Sequence, residues 1–362
     1  MAEKKRIRLE KSTVKRLVIC LTTLLLAGAL LGAAAWLRGR LDSQQAAQRW
    51  AYEDTRLAQV SCFIDERAAF SQENVQAFRG VMGNKFRENS MEPPTESARL
   101  WMDAFSAEQN VSVSRERTSA NAVAVGAGGD FFAFHPLRLR SGYYFAPDDL
   151  MEDRVVLDLD LAWKLFGAYD VVDMELYING VRCIVAAVAE NAESWPERET
   201  YGENMRVYMS WALFEKMFPD QGITCYEAVL PNPVSGFGLA MVKDNFPLQG
   251  AQADFVENSA RYSLPNAAKM LADFGKRSMK TSAFAYPYWE NAARMTEDWH
   301  TLALVLAALI LLVPAAMLIG VLARLIRQRK KYYRAIWEFI KKVFDRSKTK
   351  LQTKKKEKEV TK

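Results

Sequence analysis

The sequence predicts an α+β protein: an extracytoplasmic mixed α/β domain held between two transmembrane helices. Three observations predict it. Two apolar segments without a charged residue occupy residues 17–37 and 302–322. Short β-branched runs alternate with short helical runs in the interval between them, and an Asn-Gly dipeptide joins two of those runs. A helix rises about 1.5 Å per residue, so each apolar segment is long enough to cross a roughly 30 Å hydrocarbon core. The chain of 362 residues thus divides into a basic cytoplasmic N-terminus (1–16), a first span (17–37), an extracytoplasmic domain with a helical stalk (38–301), a second span (302–322) and a basic cytoplasmic tail (323–362).

Charge sets the expected orientation. Residues 1–16 carry seven basic and two acidic side chains, and residues 323–362 carry sixteen basic and four acidic ones. The whole chain has a net charge of +6, which leaves residues 17–322 at −11. Lys and Arg beside a span are retained in the cytoplasm, so both termini are expected inside the cell membrane and the acidic domain outside. A cleaved secretory signal ending at Ala33-Ala34-Ala35 is the competing reading of the first segment. Its apolar run exceeds the 7–15 residues usual for such signals, which favours an uncleaved anchor.

The first stretch outside the membrane, 41–70, is polar and helix-compatible, with Trp50, Leu57, Val60 and Phe63 at mixed spacing, and is expected to continue the first span outward. Residues 84–97, with Asn84, Asn89, Pro93, Pro94 and Thr95, read as a loop. Val111, Val113 and Arg115 alternate with Ser112 and Ser114 as a strand; residues 122–125 follow, and Gly126, Gly128 and Gly129 close that run. Residues 154–158 read as a strand and 161–166 as a helix stopped by Gly167. The runs 174–178 and 181–188 form a hairpin across Asn179-Gly180, because both positions of a two-residue turn need positive φ. Strand 206–209 precedes helix 211–218, and strand 225–230 precedes helix 234–246. A long helical stretch from Asn266, interrupted around 282–287, runs through 288–299 into the second span. Beyond it, Leu325, Ile326, Tyr332, Tyr333, Ile336, Trp337, Phe339, Ile340, Val343 and Phe344 alternate with Lys and Arg, as in an amphipathic helix on an anionic leaflet. The alternative is a plain continuation of the span; residues from Lys348 onward are Lys-rich and expected to be disordered.

Chemistry has little to work with. Of two histidines, His300 lies at the mouth of the second span and His135 precedes Pro136; neither has the sequence context of a nucleophile–His–acid set. Cys20 falls in the first span, and Cys62, Cys183 and Cys225 lack metal-ligand spacing. A Cys62–Cys225 disulfide and three buried thiols both remain open. Glu152-Asp153 and the series Glu190, Glu193, Glu197, Glu199 lack the regular oxygen spacing of a calcium loop and read as solvated charge. No catalytic, cofactor-binding or metal-ligating residue is assigned, and no cofactor or nucleic-acid partner is expected. Phe131, Phe132, Phe134, Tyr143, Tyr144 and Phe145 crowd a short stretch, either as core or, in part, as a partner or hydrophobic-ligand surface.

The order Gly129-Asp130-Phe131-Phe132, His135-Pro136-Leu137, Ser141-Gly142-Tyr143-Tyr144-Phe145, Asp148-Asp149 and Arg154-Val155-Val156-Leu157 resembles the periplasmic core domain of MacB-type ABC transporter permeases, which also occurs in FtsX-like and lipoprotein-release permeases. Ala162, Leu165-Phe166-Gly167, Val172-Asp173-Met174-Glu175-Leu176, Ile178-Asn179-Gly180 and the return Cys183-Ile184-Val185-Ala186-Ala187-Val188 extend the likeness. The resemblance implies a permease-like, non-enzymatic membrane subunit of an ABC-type export or envelope system. Its exterior domain would bind a partner or substrate, and its stalk helices would couple to a partner ATPase or a full-length permease. The alternative is a membrane-anchored scaffold or sensor without transport activity. Such permeases carry two further spans, and this sequence contains no G-x-x-x-x-G-K-[ST] phosphate loop, so the chain is expected to work with a partner, in a homo- or hetero-oligomer. In a bacterial envelope protein the sequon Asn110-Val111-Ser112 carries no meaning.

Overall fold

The computed structural model describes residues 11–360 apart from 53–54, 94, 96–97, 147–148, 150, 192–193 and 274–283. It divides into two units: Ala33–Leu302, and Met1–Gly32 with Ala303–Lys362. Helix α1 (Lys11–Arg38) is followed by a 3-10 turn, Asp42–Gln44, α2 (Ala46–Trp50) and β1 (Leu57–Ile64). Next come α3 (Gln72–Glu88), the hairpin β2 (Met102–Arg115) and β3 (Thr118–Gly129), α4 (Phe131–Phe134) and β4 (Leu139–Gly142). The middle of the chain supplies β5 (Arg154–Asp158), α5 (Leu159–Phe166), β6 (Glu175–Ile178), β7 (Val181–Ala189) and α6 (Trp195–Tyr201). The domain ends with β8 (Met205–Ser210), α7 (Trp211–Met217), β9 (Cys225–Pro231), α8 (Phe237–Asn245), β10 (Ala253–Glu257) and α9 (Leu264–Asp273). Helix α10 (Tyr288–Val360) completes the chain.

Local chemistry explains several boundaries. The Asp158 carboxylate caps α5 by accepting the Leu161 N–H at 2.7 Å, and Gly167 ends the helix at φ 66°. Asn179 and Gly180 adopt φ 47° and 84° between β6 and β7, as the two-residue hairpin requires.

The strands form one sheet in the order β10-β1-β9-β2-β3-β8-β5-β7-β4, with β3/β8 and β5/β7 parallel and the other neighbours antiparallel. The start of β2 pairs with β9, and its far end, Val113 and Ser114, pairs with β6. Because β6 also pairs with β7, the strands β2-β3-β8-β5-β7-β6 close into a ring. Leu161, Ala162 and Leu165 of α5 share one apolar core with Val155, Leu157, Leu176, Ile178, Cys183 and Val185 of that ring, and with residues of α3, α7 and α8.

In the other unit, α1 and α10 contain helical stretches long and apolar enough to cross a membrane, and their side chains are almost all exposed. Leu17, Leu21, Leu25, Leu309, Leu312 and Leu318 are among the exposed ones. Apolar surface of this extent is stable in lipid rather than in water.

Three expectations need correction. Residues 57–64 are not a helical continuation of the first span but β1, an interior strand buried along nearly its whole length. Ala58, Val60 and Cys62 alternate there with Gln59 and Ser61, a period of two that the mixed spacing of larger residues concealed. The loop expected at 84–97 starts later, since α3 runs to Glu88. The tail from Lys348 to Val360 is helical, continuous with α10. Of the two readings left open for the cysteines, the structure has the three buried thiols: Cys62, Cys183 and Cys225 are all free and buried. Cys62 and Cys225 lie on paired strands one register position apart, so they point to opposite faces of the sheet. Pro94, Asp148, Glu193 and Ser282, named in the sequence reading, lie outside the described residues.

Gly126 of β3 lies directly under the Phe214 ring, where a Cβ would meet the Phe214 Cβ at 2.7 Å. Gly126→Ala is expected to lower the stability of the full chain in detergent by about 1–3 kcal/mol, read from denaturant or thermal unfolding.

Candidate functional site

Strand alternation gives the sheet two unlike faces. One presents Phe105, Ala107, Val207, Met209, Ala228 and Leu230 to the apolar core beneath the helices. The opposite face carries Gln59 and Ser61 from β1, Glu227 from β9, Ser106 from β2, Asp158 from β5 and Arg206 from β8, all buried. It is covered by the segment after α1, by α4, by the turn after β10 and by the first turns of α10, with Ala46, Ala47, Phe131, Phe134 and Trp289 packed among its apolar residues.

The buried polar groups are joined to those covering segments. Gln59 accepts the Ala46 N–H at 2.9 Å and donates to the Ser43 carbonyl at 2.7 Å. Ser61 donates to Glu227 at 2.7 Å and accepts from Asn258 Nδ2 at 2.7 Å. The second Glu227 oxygen meets Nε2 of His135, whose ring lies tilted against Trp289 with centroids 4.3 Å apart. The Asp158 carboxylate that caps α5 also accepts from Tyr201 Oη at 3.0 Å and from the Arg206 N–H at 2.5 Å. The Arg206 guanidinium lies 3.8 Å from the Tyr201 ring and 4.6 Å from that of Tyr288, the first residue of α10. A cleft of about 290 Å³, lined in part by Ser43, His135, Asp158, Glu197, Tyr288 and Trp289, opens among these groups.

A second cluster, mostly ionic, centres on Arg261. Its guanidinium donates to Glu290, to Glu297 at 3.1 Å and to the Gln44 side chain at 2.8 Å. Arg294 donates to Glu290 at 2.8 Å and to Asp254 of β10 at 3.2 Å. Glu290, Glu297 and Arg294 belong to α10, Gln44 to the turn after α1 and Arg261 to the turn after β10, so one buried cation joins both segments to that turn, while Arg294 reaches the sheet at Asp254. Glu290 and Glu297 in turn hold the Arg261 guanidinium above its ordinary pKa against the opposing effect of burial.

The arrangement joins the covering segments to the sheet through hydrogen bonds and ion pairs. Burial pushes the Cys62 and Cys225 thiols well above their usual range and that of Cys183 to about 12, which removes their nucleophilic thiolate at neutral pH. Among the described residues no group of three or more His, Cys, Asp or Glu side chains is placed to hold a metal. His300 is buried against the Tyr262 ring at 5.5 Å. Of the acidic clusters, Asp153 and Glu190 lie near Arg182 and Arg138 at 3.8 Å, and Glu197 is half-buried in α6. The aromatic stretch divides: Phe131, Phe134 and Phe145 are buried, and Tyr143 is exposed. Sequence reading missed Arg206, Glu227 and Arg261; the visible signal was a lone carboxylate inside the apolar run 225–230.

Two measurements check these networks. Arg261→Met leaves Glu290 and Glu297 buried without their cation, and is expected to destabilise the full chain by about 3–5 kcal/mol in denaturant unfolding. Adding Glu290→Gln and Glu297→Gln should recover part of the loss. Burial pushes Asp158 from 3.8 to about 6, against the N–H bonds from Leu161 and Arg206 that pull it down. Glu108 and Glu197 are raised by burial as well. Between those two pH values the folded state keeps a proton that the unfolded chain releases, so stability falls as pH rises from about 4 to about 6, by up to about 3 kcal/mol from Asp158. Unfolding temperatures across this window should show the decline, and Asp158→Asn should flatten it.

A search of curated proteins finds no match. Among solved structures, the chain is similar to the extracellular domain of the noncanonic ABC-type transporter YknZ from Gram-positive bacteria, at 13% identity and a TM-score of 0.38, covering 55% of this chain and 99% of that one. It is also similar to the periplasmic region of MacB from Actinobacillus actinomycetemcomitans, at 10% identity and a TM-score of 0.41, covering 61% and 94%. The model of the MacB-like periplasmic core domain matches residues 40–255, more than half of the sequence, and the chain belongs to that family.

Proposed function

We propose that the chain is a permease-like membrane subunit of an ABC-type export or envelope system. Its exterior domain binds a partner or substrate, and the segments leading to its two apolar helices couple that event to an ATPase-driven partner. Family membership supports the class of protein. The Arg261 cluster carries the coupling: one buried guanidinium bonds both Gln44, after α1, and Glu290 and Glu297, at the start of α10. A shift of the sheet that moves Arg261 therefore moves both segments together, because leaving either glutamate buried without its cation is costly. The basic ends at 1–16 and 323–362 favour a cytoplasmic location for both termini and an exterior location for the domain.

Purification of the tagged full chain in mild detergent is expected to bring down a nucleotide-binding subunit or a complete permease. Deletion of residues 324–362 should leave this assembly in place. Recovery of the chain alone, together with unchanged transport on its deletion from the cell, overturns the proposal. Loss of the partner on tail deletion alone favours a scaffold that docks partners through its basic tail.

A further inference from the structure

Large apolar side chains are exposed on four separate segments, two of which adjoin the apolar segments in the chain. Trp299 of α10, 48% exposed, stands three residues before the second apolar segment. Trp195 at the start of α6, 38% exposed, meets it edge-on with ring centroids 5.7 Å apart. Leu264 at the start of α9 is 72% exposed, two residues from Tyr262, whose ring contacts His300. Trp36, 63% exposed, closes the outer end of the first apolar segment. The paired indoles of Trp195 and Trp299, and the exposed Trp36 and Leu264, are unfavourable surface in water. An indole has an apolar body and an N–H donor, which suits the boundary between acyl chains and headgroups.

We propose that Trp195, Leu264 and Trp299, with Trp36, form a lipid-contact surface, so that α6 of the exterior domain rests in the headgroup layer of the bilayer. The bilayer is the occupant because Trp36 and Trp299 adjoin the membrane segments in the chain and Trp195 touches Trp299 directly. The opposite end of α6 belongs to the buried network: Thr200 donates to the Tyr288 carbonyl at 3.0 Å, and Tyr201 donates to Asp158 at 3.0 Å. A seven-residue helix thereby links the membrane surface to the polar face of the sheet.

This inference rests on the reading of two membrane spans, and the test separates the two. The full chain is reconstituted into vesicles of phosphatidylcholine brominated near the top of the acyl chain, and tryptophan quenching is compared for the unaltered chain, Trp195→Phe and Trp299→Phe. Flotation with the vesicles checks the spans first; a chain that stays unbound overturns both readings. In a chain that floats, each substitution is expected to remove part of the lipid-quenched signal and to leave quenching by aqueous iodide unchanged. Loss of an iodide-quenched component on Trp195→Phe, with lipid quenching intact, overturns the lipid contact and leaves the two spans standing, as does displacement of Trp195 quenching by a bound protein partner. Matching unfolding temperatures of the variants in detergent show that the signals report position rather than misfolding.

Discussion

A positive charge buried inside a protein must be met by negative charge and hydrogen bonds, and Arg261 imposes that condition on the whole domain. Its guanidinium finds Glu290 and Glu297 on α10 and the Gln44 amide in the turn after α1. An apolar residue could fill the same volume at comparable or better stability, so the value of such an ion pair lies in geometry. Hydrophobic contacts tolerate sliding, whereas a forked donor facing two carboxylates admits few arrangements. The turn after α1 and the first turns of α10 are consequently fixed to the sheet in one register.

The remaining polar face extends the same principle over a wider area. Gln59 bonds the backbone at Ser43 and Ala46, Glu227 meets His135 beside Trp289, and Arg206 lies against Tyr288. The helices α3, α5, α7 and α8 cover the opposite face through apolar packing. Stability and orientation are thus assigned to different sides of one sheet. The apolar side supplies burial, and the polar side specifies how the segments adjoining the membrane helices are seated.

Much of the domain was legible because its local signals agree with its tertiary setting. The strand–helix pairs β5–α5 and β8–α7 carry an apolar run followed by a helix capped by Asp158 or Ser210, β9–α8 repeats the order without a side-chain cap, and Asn179-Gly180 marks the β6–β7 turn unambiguously. β1 was hidden because a central strand buried on both faces needs no contrast between large apolar and charged residues; Gln59 and Ser61 are neutralised by partners distant in sequence. The same distance concealed the site. Arg261 and Gln44 are 217 positions apart, and His135 and Glu227 are 92 apart, so only the sheet topology brings them together. Cys62 and Cys225 illustrate the converse: neighbouring strands bring them close, and the pleat turns them to opposite sides.

The closed ring of β2, β3, β8, β5, β7 and β6 also limits how another protein can take hold of this one. A strand whose neighbours are already paired on both sides has no free N–H and C=O row to offer. Among the described strands, only β10 and β4 stand at the ends of the sheet, and β10 has just five residues, two of them acidic. β4 has four residues and pairs with β7 across an irregular register. The two ends of the sheet therefore give an extended peptide little length to pair with. Contact at those two ends falls to side chains and loops rather than to backbone pairing, and leaves the ring of strands intact.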